Sequence, residues 1–333
     1  MLVSEEDDAE DEEEKGRLNE EPFEIVRAED AGEVRTMLCV AVKCLPRIHF
    51  GALAALRAAK DADTIDKASR AIVLLNGHND YAWNARKRLF FGSLDESTYR
   101  REISLDDLVL TKHPKTEETW AYRQWLIKQM YQGAELPTAV ASEEFEACTR
   151  GVVSYPRNYY AWEHRLWVMK HTSDAELLKK ELFWTEKWIV KNSSDHSALT
   201  YRQNVFKKLY PDDENEWKVE CFFTVAMIML CPGVEGLWAH LRFCMHHYYT
   251  HLRPQADVSA VTGEDRSQDL DFYDNLPAVT DKIRTRSGEL PLPDASLMRA
   301  FCEAVVQDTY LWNYELNKHF CNRFIEWLKF LSK

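Results

Sequence analysis

Residues 156–165, PRNYYAWEHR, decide the fold of this chain because their pattern returns at a nearly constant interval. Related phrases occupy residues 77–90, 114–127, 193–206 and 232–245. The aligned positions are Trp83, Trp120, Trp162, Leu199 and Trp238, in steps of 37, 42, 37 and 39 residues. A period of this length is typical of an array of helical hairpins, because each hairpin buries its apolar face only against its neighbours.

Each copy is predicted to consist of a first helix, a turn and a second helix. In the first copy, Ile65, Ala68, Ile72 and Leu75 recur at helical spacing, and Asp63 is the expected N-cap. Three copies have a proline six residues before the aligned Trp position, and proline disfavours helix at the residue before it. The first helix of these copies is therefore expected to end before Pro114, Pro156 and Pro232.

The second helix of each of the first three copies carries the tryptophan and the arginine three positions apart, on one face. We expect the indole to fill the space between the paired helices. We expect the arginine to be held by carboxylates or by carbonyls at helix ends. These structural roles are assigned to Trp83, Arg86, Trp120, Arg123, Trp162, Arg165, Arg202 and Trp238.

The composition favours an all-α protein located in the cytoplasm. Hydrophobic residues make up 45% of the 333 residues, enough for a large core, and no segment alternates for long between apolar and polar. The eight cysteines form no CxxC pair, which favours reduced thiols. There is no apolar run of membrane-spanning length and no signal-peptide pattern. A net charge of −13 argues against nucleic acid as a partner, since nucleic-acid binding needs a basic stripe.

The acidic residues are concentrated at the N-terminus. Residues 1–22 hold eleven acids against Lys15 and Arg17, a net charge of −9, and are predicted to be a disordered acidic tail. Residues 23–333 are assigned to one helical domain, with clear repeats at about 62–250. An irregular insertion is expected at about 253–293, followed by terminal helices at 294–331.

The pattern P-[KR]-N-Y-x-x-W-x-x-R resembles the repeat of protein prenyltransferase alpha subunits. Residues 156–165 match it almost position for position, and Pro114-Lys115 through Trp120 and Arg123 match it well. Within the family the chain is most similar to a divergent member, which shares Asp195-His196-Ser197 and Tyr201-Arg202-Gln203 of the fourth copy. The resemblance implies the family fold, a right-handed α-α superhelix in which helical hairpins form a crescent.

The resemblance also implies an activity that depends on a second subunit. Family alpha subunits wrap around a beta subunit, which holds the zinc and the isoprenyl diphosphate, so no cofactor is expected in this chain. The implied reaction is attack of a protein cysteine thiolate on the first carbon of the isoprenyl diphosphate. The implied partner is the beta subunit of Rab geranylgeranyltransferase. The chain would then be one subunit of a protein geranylgeranyltransferase, inactive alone.

Site residues follow from the same resemblance. Lys115, five residues before Trp120, matches a family lysine beside the diphosphate, where a fixed cation stabilises the leaving group. The four residues Arg157, Asn158, Tyr159 and Tyr160 match a stretch that lines the substrate cleft.

The chain departs from the family pattern at several of its positions. Glu117 and Glu118 replace a tyrosine and a glutamine, and two acids would repel the free carboxylate of a CaaX tail. Leu199 replaces the tryptophan of the fourth copy. In the fifth copy Leu241 takes the place of the arginine, which is displaced to Arg242. The two leucines are expected to be drift at structural positions.

No residue pattern supports an enzyme that acts alone. His246, His247 and His251 lie close in sequence, but a packed or exposed cluster is expected rather than a metal site. No phosphate-binding loop or nucleophile elbow is present. The alternative to a transferase subunit is a noncatalytic helical-repeat scaffold for protein–protein interaction. Lys115 favours the transferase subunit, whereas Glu117 and Glu118 leave room for the scaffold.

Overall fold

A computed structural model of the 333-residue chain describes residues 23–30, 33–40, 42–132, 135–231, 233–252, 298, 301–302 and 314–331. The predicted acidic tail and the predicted insertion at 253–293 lie outside these residues. The chain forms two compact units. One is Met1–Ala134 with Val153–Tyr155, and the other is Glu135–Val152 with Pro156–Lys333.

The first unit begins with an antiparallel hairpin, which the helical assignment of residues 23–333 did not include. Strand β1, Phe23–Asp30, pairs with β2, Glu33–Val40, and the register places Asp30 opposite Glu33. Two residues connect the strands, a common connection length for a tight hairpin. The described residues from 42 onward contain no strand, so the sheet precedes the repeats.

The rest of the first unit is helical. After a short 3-10 turn at Val42–Cys44, its helices are α1 (Leu45–Ala58), α2 (Ala62–Leu75), α3 (Asp80–Phe90), α4 (Glu96–Lys112) and α5 (Glu117–Tyr131). The pairs α2–α3 and α4–α5 are the hairpins of the first two copies, and α1 packs on α2. The N-cap of α2 is Asp61, whose carboxylate accepts from Thr64 N at 2.8 Å. The predicted cap was therefore wrong: Asp63 lies within the first turn and pairs with Lys67.

The second unit contains the other three copies. Its helices are α6 (Thr138–Ser154, whose last two residues count with the first unit), α7 (Tyr159–Lys170), α8 (Ala175–Lys191), α9 (His196–Leu209), α10 (Glu214–Leu230), α11 (Glu235–His247) and α12 (Tyr314–Leu331). A π-helical turn, Tyr248–Leu252, extends α11. The α-α helical-repeat fold predicted from the period is thereby confirmed.

In the first two copies, the tryptophan explains the fixed spacing between the turn and the second helix. Trp83 Nε1 donates to Gly77 O at 2.7 Å, and Trp120 Nε1 donates to Pro114 O at 2.9 Å. Both carbonyls belong to the turn residue six positions earlier, so a buried indole fastens the turn to its helix. Gly77 is closely surrounded here, since a Cβ would lie 3.1 Å from a methyl carbon of Val109 and the neighbouring side chain would have to shift.

Buried arginines link each of three copies to the next one. Arg86 donates to Glu102 from Nε at 2.8 Å and from Nη2 at 2.7 Å, and the two residues are fully buried. In the same way Arg165 binds Glu181, and Arg202 binds Glu220, at 2.6–2.8 Å. In each case the arginine lies on the second helix of one copy and the glutamate on the first helix of the next. Arg123 binds Asp106 and Asp107 of its own copy.

The same glutamates also accept hydrogen bonds from the second helix of their own copy. Tyr122 Oη donates to Glu102 at 2.9 Å, and Tyr201 Oη donates to Glu181 at 2.7 Å. His240 Nε2 lies 2.7 Å from Glu220. A buried charge is tolerated only when it is paired and its remaining lone pairs are satisfied. We call each set of arginine, glutamate and tyrosine or histidine a buried link.

The fifth copy ends this series without an arginine. Leu241 is fully buried, and Arg242 is partly exposed. Trp238 of this copy packs against the rings of Phe301, Phe320 and Phe324, which come from the terminal helical segments. The last copy is therefore covered by apolar side chains.

Candidate functional site

The turns within the hairpins carry a side chain that reaches toward the following turn. These residues lie five positions before the aligned tryptophans. His78 Nδ1 is 3.0 Å from Glu118 Oε2, and Arg157 Nη2 donates to Ser194 Oγ at 2.9 Å. Lys115 Nζ lies 4.9 Å from the ring centroid of Tyr155. The partner of each of these three side chains is a carboxylate, a hydroxyl or an aromatic ring.

Lys115 is an exposed residue of the turn between α4 and α5. Its contact in the described part of the chain is the face of Tyr155, a residue that is itself 44% exposed. Such a cation–π contact at an exposed site contributes about 0.5–1 kcal/mol. Among the described residues no carboxylate pairs with this ammonium group. The charge of Lys115 is therefore available to an anionic ligand.

Two acidic residues follow Lys115 closely in the sequence, at the start of α5. Glu117 is exposed, and the carboxylate of Glu118 is held by His78 of the preceding copy. The surface beside Lys115 thus combines one cation with negative charge, as expected from the sequence.

The stretch Arg157–Tyr160 divides between the surface and the interior. Tyr159 is 58% exposed, and its ring meets that of Tyr160 edge to face at 5.7 Å. Asn158 is fully buried: its Oδ1 accepts from Ala161 N, and its Nδ2 donates to Gly151 O, both at 3.3 Å. It is the N-cap of α7 and has no exposed surface, which differs from its expected contact with substrate. Lys115 belongs to the first unit and this stretch to the second.

The histidines at the end of α11 hold the turn between α9 and α10. His247 Nε2 lies 3.0 Å from Pro211 O, its ring stacks on Trp217 at 4.0 Å, and its pKa is lowered, chiefly by burial. His251 Nε2 lies 3.1 Å from Asp212 Oδ1. In the part of the chain that the structure describes, no three His, Cys, Asp or Glu side chains are placed to share a metal ion.

Two features of this surface were missed from the sequence. One is the ring of Tyr155 against Lys115. The other is a cavity of about 430 Å³ lined by Pro156, Arg157 and residues 191–195. Both bring together residues separated by at least 34 positions, and no local pattern marks such pairs.

No helix among the described residues is both long and apolar enough to cross a bilayer.

Comparison with known proteins supports the resemblance seen in the sequence. The family described as "Protein prenyltransferase alpha subunit repeat" matches residues 99–130, 141–172 and 178–209. These ranges fall on the hairpins α4–α5, α6–α7 and α8–α9. The predicted resemblance to prenyltransferase alpha subunit repeats is thereby confirmed.

Relatives of two kinds are similar to this chain. Protein prenyltransferase alpha subunit repeat-containing protein 1 of Homo sapiens is 31% identical over 246 residues, 56% of this chain and 60% of that protein. Its counterpart in Danio rerio is 33% identical over 245 residues, 58% of this chain and 57% of that protein. Geranylgeranyl transferase type-2 subunit alpha of Rattus norvegicus is 27% identical over 151 residues, 43% of this chain and 25% of that protein. The chain thus spans less than two thirds of these relatives.

Proposed function

We propose that this chain, which carries protein prenyltransferase alpha subunit repeats, is the alpha-type subunit of a heterodimeric protein prenyltransferase. The group transferred in this proposal is geranylgeranyl, and the acceptor is a protein cysteine. The partner is the beta subunit of Rab geranylgeranyltransferase. Support comes from the similarity to a geranylgeranyl transferase type-2 alpha subunit.

Lys115 has a defined role in the proposed reaction. The cysteine loses its proton, its sulfur forms a bond to the first carbon of the isoprenyl group, and the bond from that carbon to the diphosphate oxygen breaks. The electron pair leaves with the diphosphate, where negative charge increases. A positioned cation at such a group stabilises the transition state. Zinc, expected in the partner subunit, would hold the acceptor thiolate, while this chain contributes the ammonium group of Lys115.

The observation that carries the proposal is the state of Lys115 itself. Its ammonium group is exposed, it has an aromatic ring on one side, and no carboxylate pairs with it among the described residues. By contrast, Arg86, Arg165 and Arg202 are buried against carboxylates. Lys115 is thus an exposed cation that a ligand can reach, whereas these arginines are buried cations that stabilise the fold.

The test is single-turnover geranylgeranyl transfer by the chain reconstituted with the beta subunit. Lys115→Ala should slow the chemical step by about 10- to 1000-fold. Assembly should be unchanged, since loss of an exposed turn lysine alters the free energy of unfolding by only about 0.5 kcal/mol. The matched control is Lys112→Ala, which removes an exposed lysine at the end of α4, and its rate should stay within about twofold. Equal rates for the two variants would contradict the role of Lys115.

The second candidate function is a helical-repeat scaffold without transferase activity. The contact between Lys115 and Tyr155 favours it, because the lysine then serves to tie two turns together. The nearby acids Glu117 and Glu118 favour it as well, since they oppose an anionic substrate. A scaffold would fail to co-purify with the beta subunit and would transfer no isoprenyl group. Co-purification with measurable transfer would exclude it.

A further inference from the structure

The second unit contains a cavity at the surface between two hairpin turns. The turn from α6 to α7 contributes Pro156 and Arg157, and the turn from α8 to α9 contributes residues 191–195. Its volume, about 430 Å³, lies within the range of about 300–1,000 Å³ that is usual for small-ligand sites. The cavity is therefore large enough for a small polar ligand.

Two cations line this cavity without an acidic partner. Arg157 is exposed, and its Nη2 donates to the hydroxyl of Ser194 at 2.9 Å. Lys191, at the end of α8, is also exposed. Neither side chain pairs with a carboxylate in the part of the chain that the structure describes. This distinguishes Arg157 from His78, whose imidazole reaches Glu118 at the corresponding position of the first copy.

One acid, Asp195, also lines the cavity, but its oxygens are occupied elsewhere. Its Oδ1 accepts from the backbone N–H of Ser197 at 3.2 Å and of Ala198 at 3.3 Å. Its Oδ2 accepts from the indole Nε1 of Trp162 and of Trp188, both at 3.1 Å. Asp195 is 3% exposed and caps α9. The exposed charge of the cavity is therefore positive.

The backbone at Arg157 supports the same assignment. Its φ is +60°, in the left-handed region, which residues with a long side chain seldom adopt. Such conformations are unfavourable by about 1–3 kcal/mol, and they are concentrated at sites that bind ligands. The strained turn aims a guanidinium group across to the next turn, where the hydroxyl of Ser194 meets it.

We infer that this cavity binds a phosphate group, through the guanidinium of Arg157, the ammonium of Lys191 and the hydroxyls of Ser193 and Ser194. The planar guanidinium suits the paired oxygens of phosphate, and Lys191 adds a second charge. The hydroxyl that now accepts from Arg157 can donate to a phosphate oxygen instead. The phosphate is carried either by a free anion or by a phosphorylated peptide. The site requires no transferase activity and lies in the second unit only.

Isothermal titration calorimetry of the full chain at low salt tests this inference, with inorganic phosphate and diphosphate as probes. Arg157→Gln and Lys191→Gln should each weaken binding about tenfold, the loss of one charge-assisted hydrogen bond. The matched control is Lys187→Gln, an exposed lysine one helical turn before Lys191 whose Nζ lies over the ring of Phe183 at 4.0 Å. It should bind like the unaltered chain.

The outcomes separate the possible sources of the phosphate and the possible failures. A phosphoserine peptide that binds more tightly than inorganic phosphate assigns the site to a phosphorylated protein, and the reverse assigns it to a free anion. Absence of binding by the unaltered chain overturns the inference, as does equal binding by all three variants. Thermal unfolding shows whether each variant is folded. If Arg157→Gln is unstable, the affinity of Lys191→Gln for phosphate is the test of the inference. Phosphate binding is independent of prenyl transfer, so failure of the transferase assay would not contradict this inference.

Discussion

Replacement of Glu181 by glutamine should be among the most damaging conservative changes in the chain. Glu181 accepts from Arg165 Nε at 2.6 Å and Nη2 at 2.8 Å, and from Tyr201 Oη at 2.7 Å. Glutamine keeps the shape of the side chain and one acceptor oxygen, but it removes the charge. Arg165 is 1% exposed, so its guanidinium would remain buried without a counter-charge. Breaking a buried pair in this way costs about 3–5 kcal/mol.

Urea denaturation, followed by far-ultraviolet circular dichroism, measures this loss. The matched control is Glu176→Gln on the same helix, where the partner Lys179 is exposed and the pair contributes about 0.2–1 kcal/mol. Adding Arg165→Met to Glu181→Gln removes the uncompensated charge and should recover part of the stability, while the introduced amide still accepts from Tyr201 Oη. If Glu181→Gln costs no more than Glu176→Gln, the buried link does not stabilise the joint between copies.

Three further predictions concern the second unit. Trp162→Ala should lower the free energy of unfolding by about 3–5 kcal/mol and prevent co-purification with the beta subunit, as judged by urea denaturation and size-exclusion chromatography. Burial raises the pKa of Glu220, but Arg202 outweighs it and holds that pKa at about 2, below the ordinary 4.5. Because the pKa of Glu220 is depressed in the folded state, the stability that its ionised form contributes is fully present above about pH 4.5 and is lost as the pH falls toward 2. Between these pH values, the free energy of unfolding of Glu220→Gln, measured in urea, should depend less on pH than that of the unaltered chain. Parallel pH dependences would contradict the assignment. Asp195→Ala removes a helix cap and the acceptor of two indole N–H groups, so it should cost about 2–4 kcal/mol in urea, against about 1 kcal/mol for the exposed cap Asp174→Ala.

Much of the helical architecture follows from the period and from local rules. The first helices of the second and third copies end at Lys112 and Ser154, two residues before Pro114 and Pro156, because proline disfavours helix at the preceding residue. Burial of the tryptophan and of the arginine follows from their shared helical face. The identity of the carboxylate that meets each arginine does not follow from this spacing. Glu102, for example, belongs to the next copy, and several carboxylates stand at comparable distances in sequence.

The two-stranded hairpin was missed because the sequences of its strands carry only a weak strand pattern. Their sequences, FEIVRAED and EVRTMLCV, alternate only in part, and helical periodicity dominates the chain that follows. The connection of two residues, one of them glycine in the sequence, was the available signal for a turn.

The candidate site could be predicted only as single residues. Placing Lys115 in a turn required nothing beyond the proline and the tryptophan around it. Its contact with Tyr155 depends on how consecutive hairpins pack, which no window of sequence contains. Asn158 was expected to contact substrate because its neighbours in the sequence were. In the structure it is a buried helix cap.

The buried links give the array of repeats a direction, because in each link the arginine of one copy binds the glutamate of the following copy. The fourth copy presents Glu181 to the arginine of the preceding copy and Arg202 to the glutamate of the following copy, whereas the last copy has Leu241 in place of the arginine. Arg202 lies 18 residues before Glu220. Excision of residues 166–202 would place Glu220 18 residues after Arg165. The shortened chain would then have an arginine and a glutamate at the separation that Arg202 and Glu220 have in the native chain. Gain or loss of whole copies is thus possible at joints that have a buried link. A copy added after Leu241 would have no arginine of the preceding copy to pair with its glutamate.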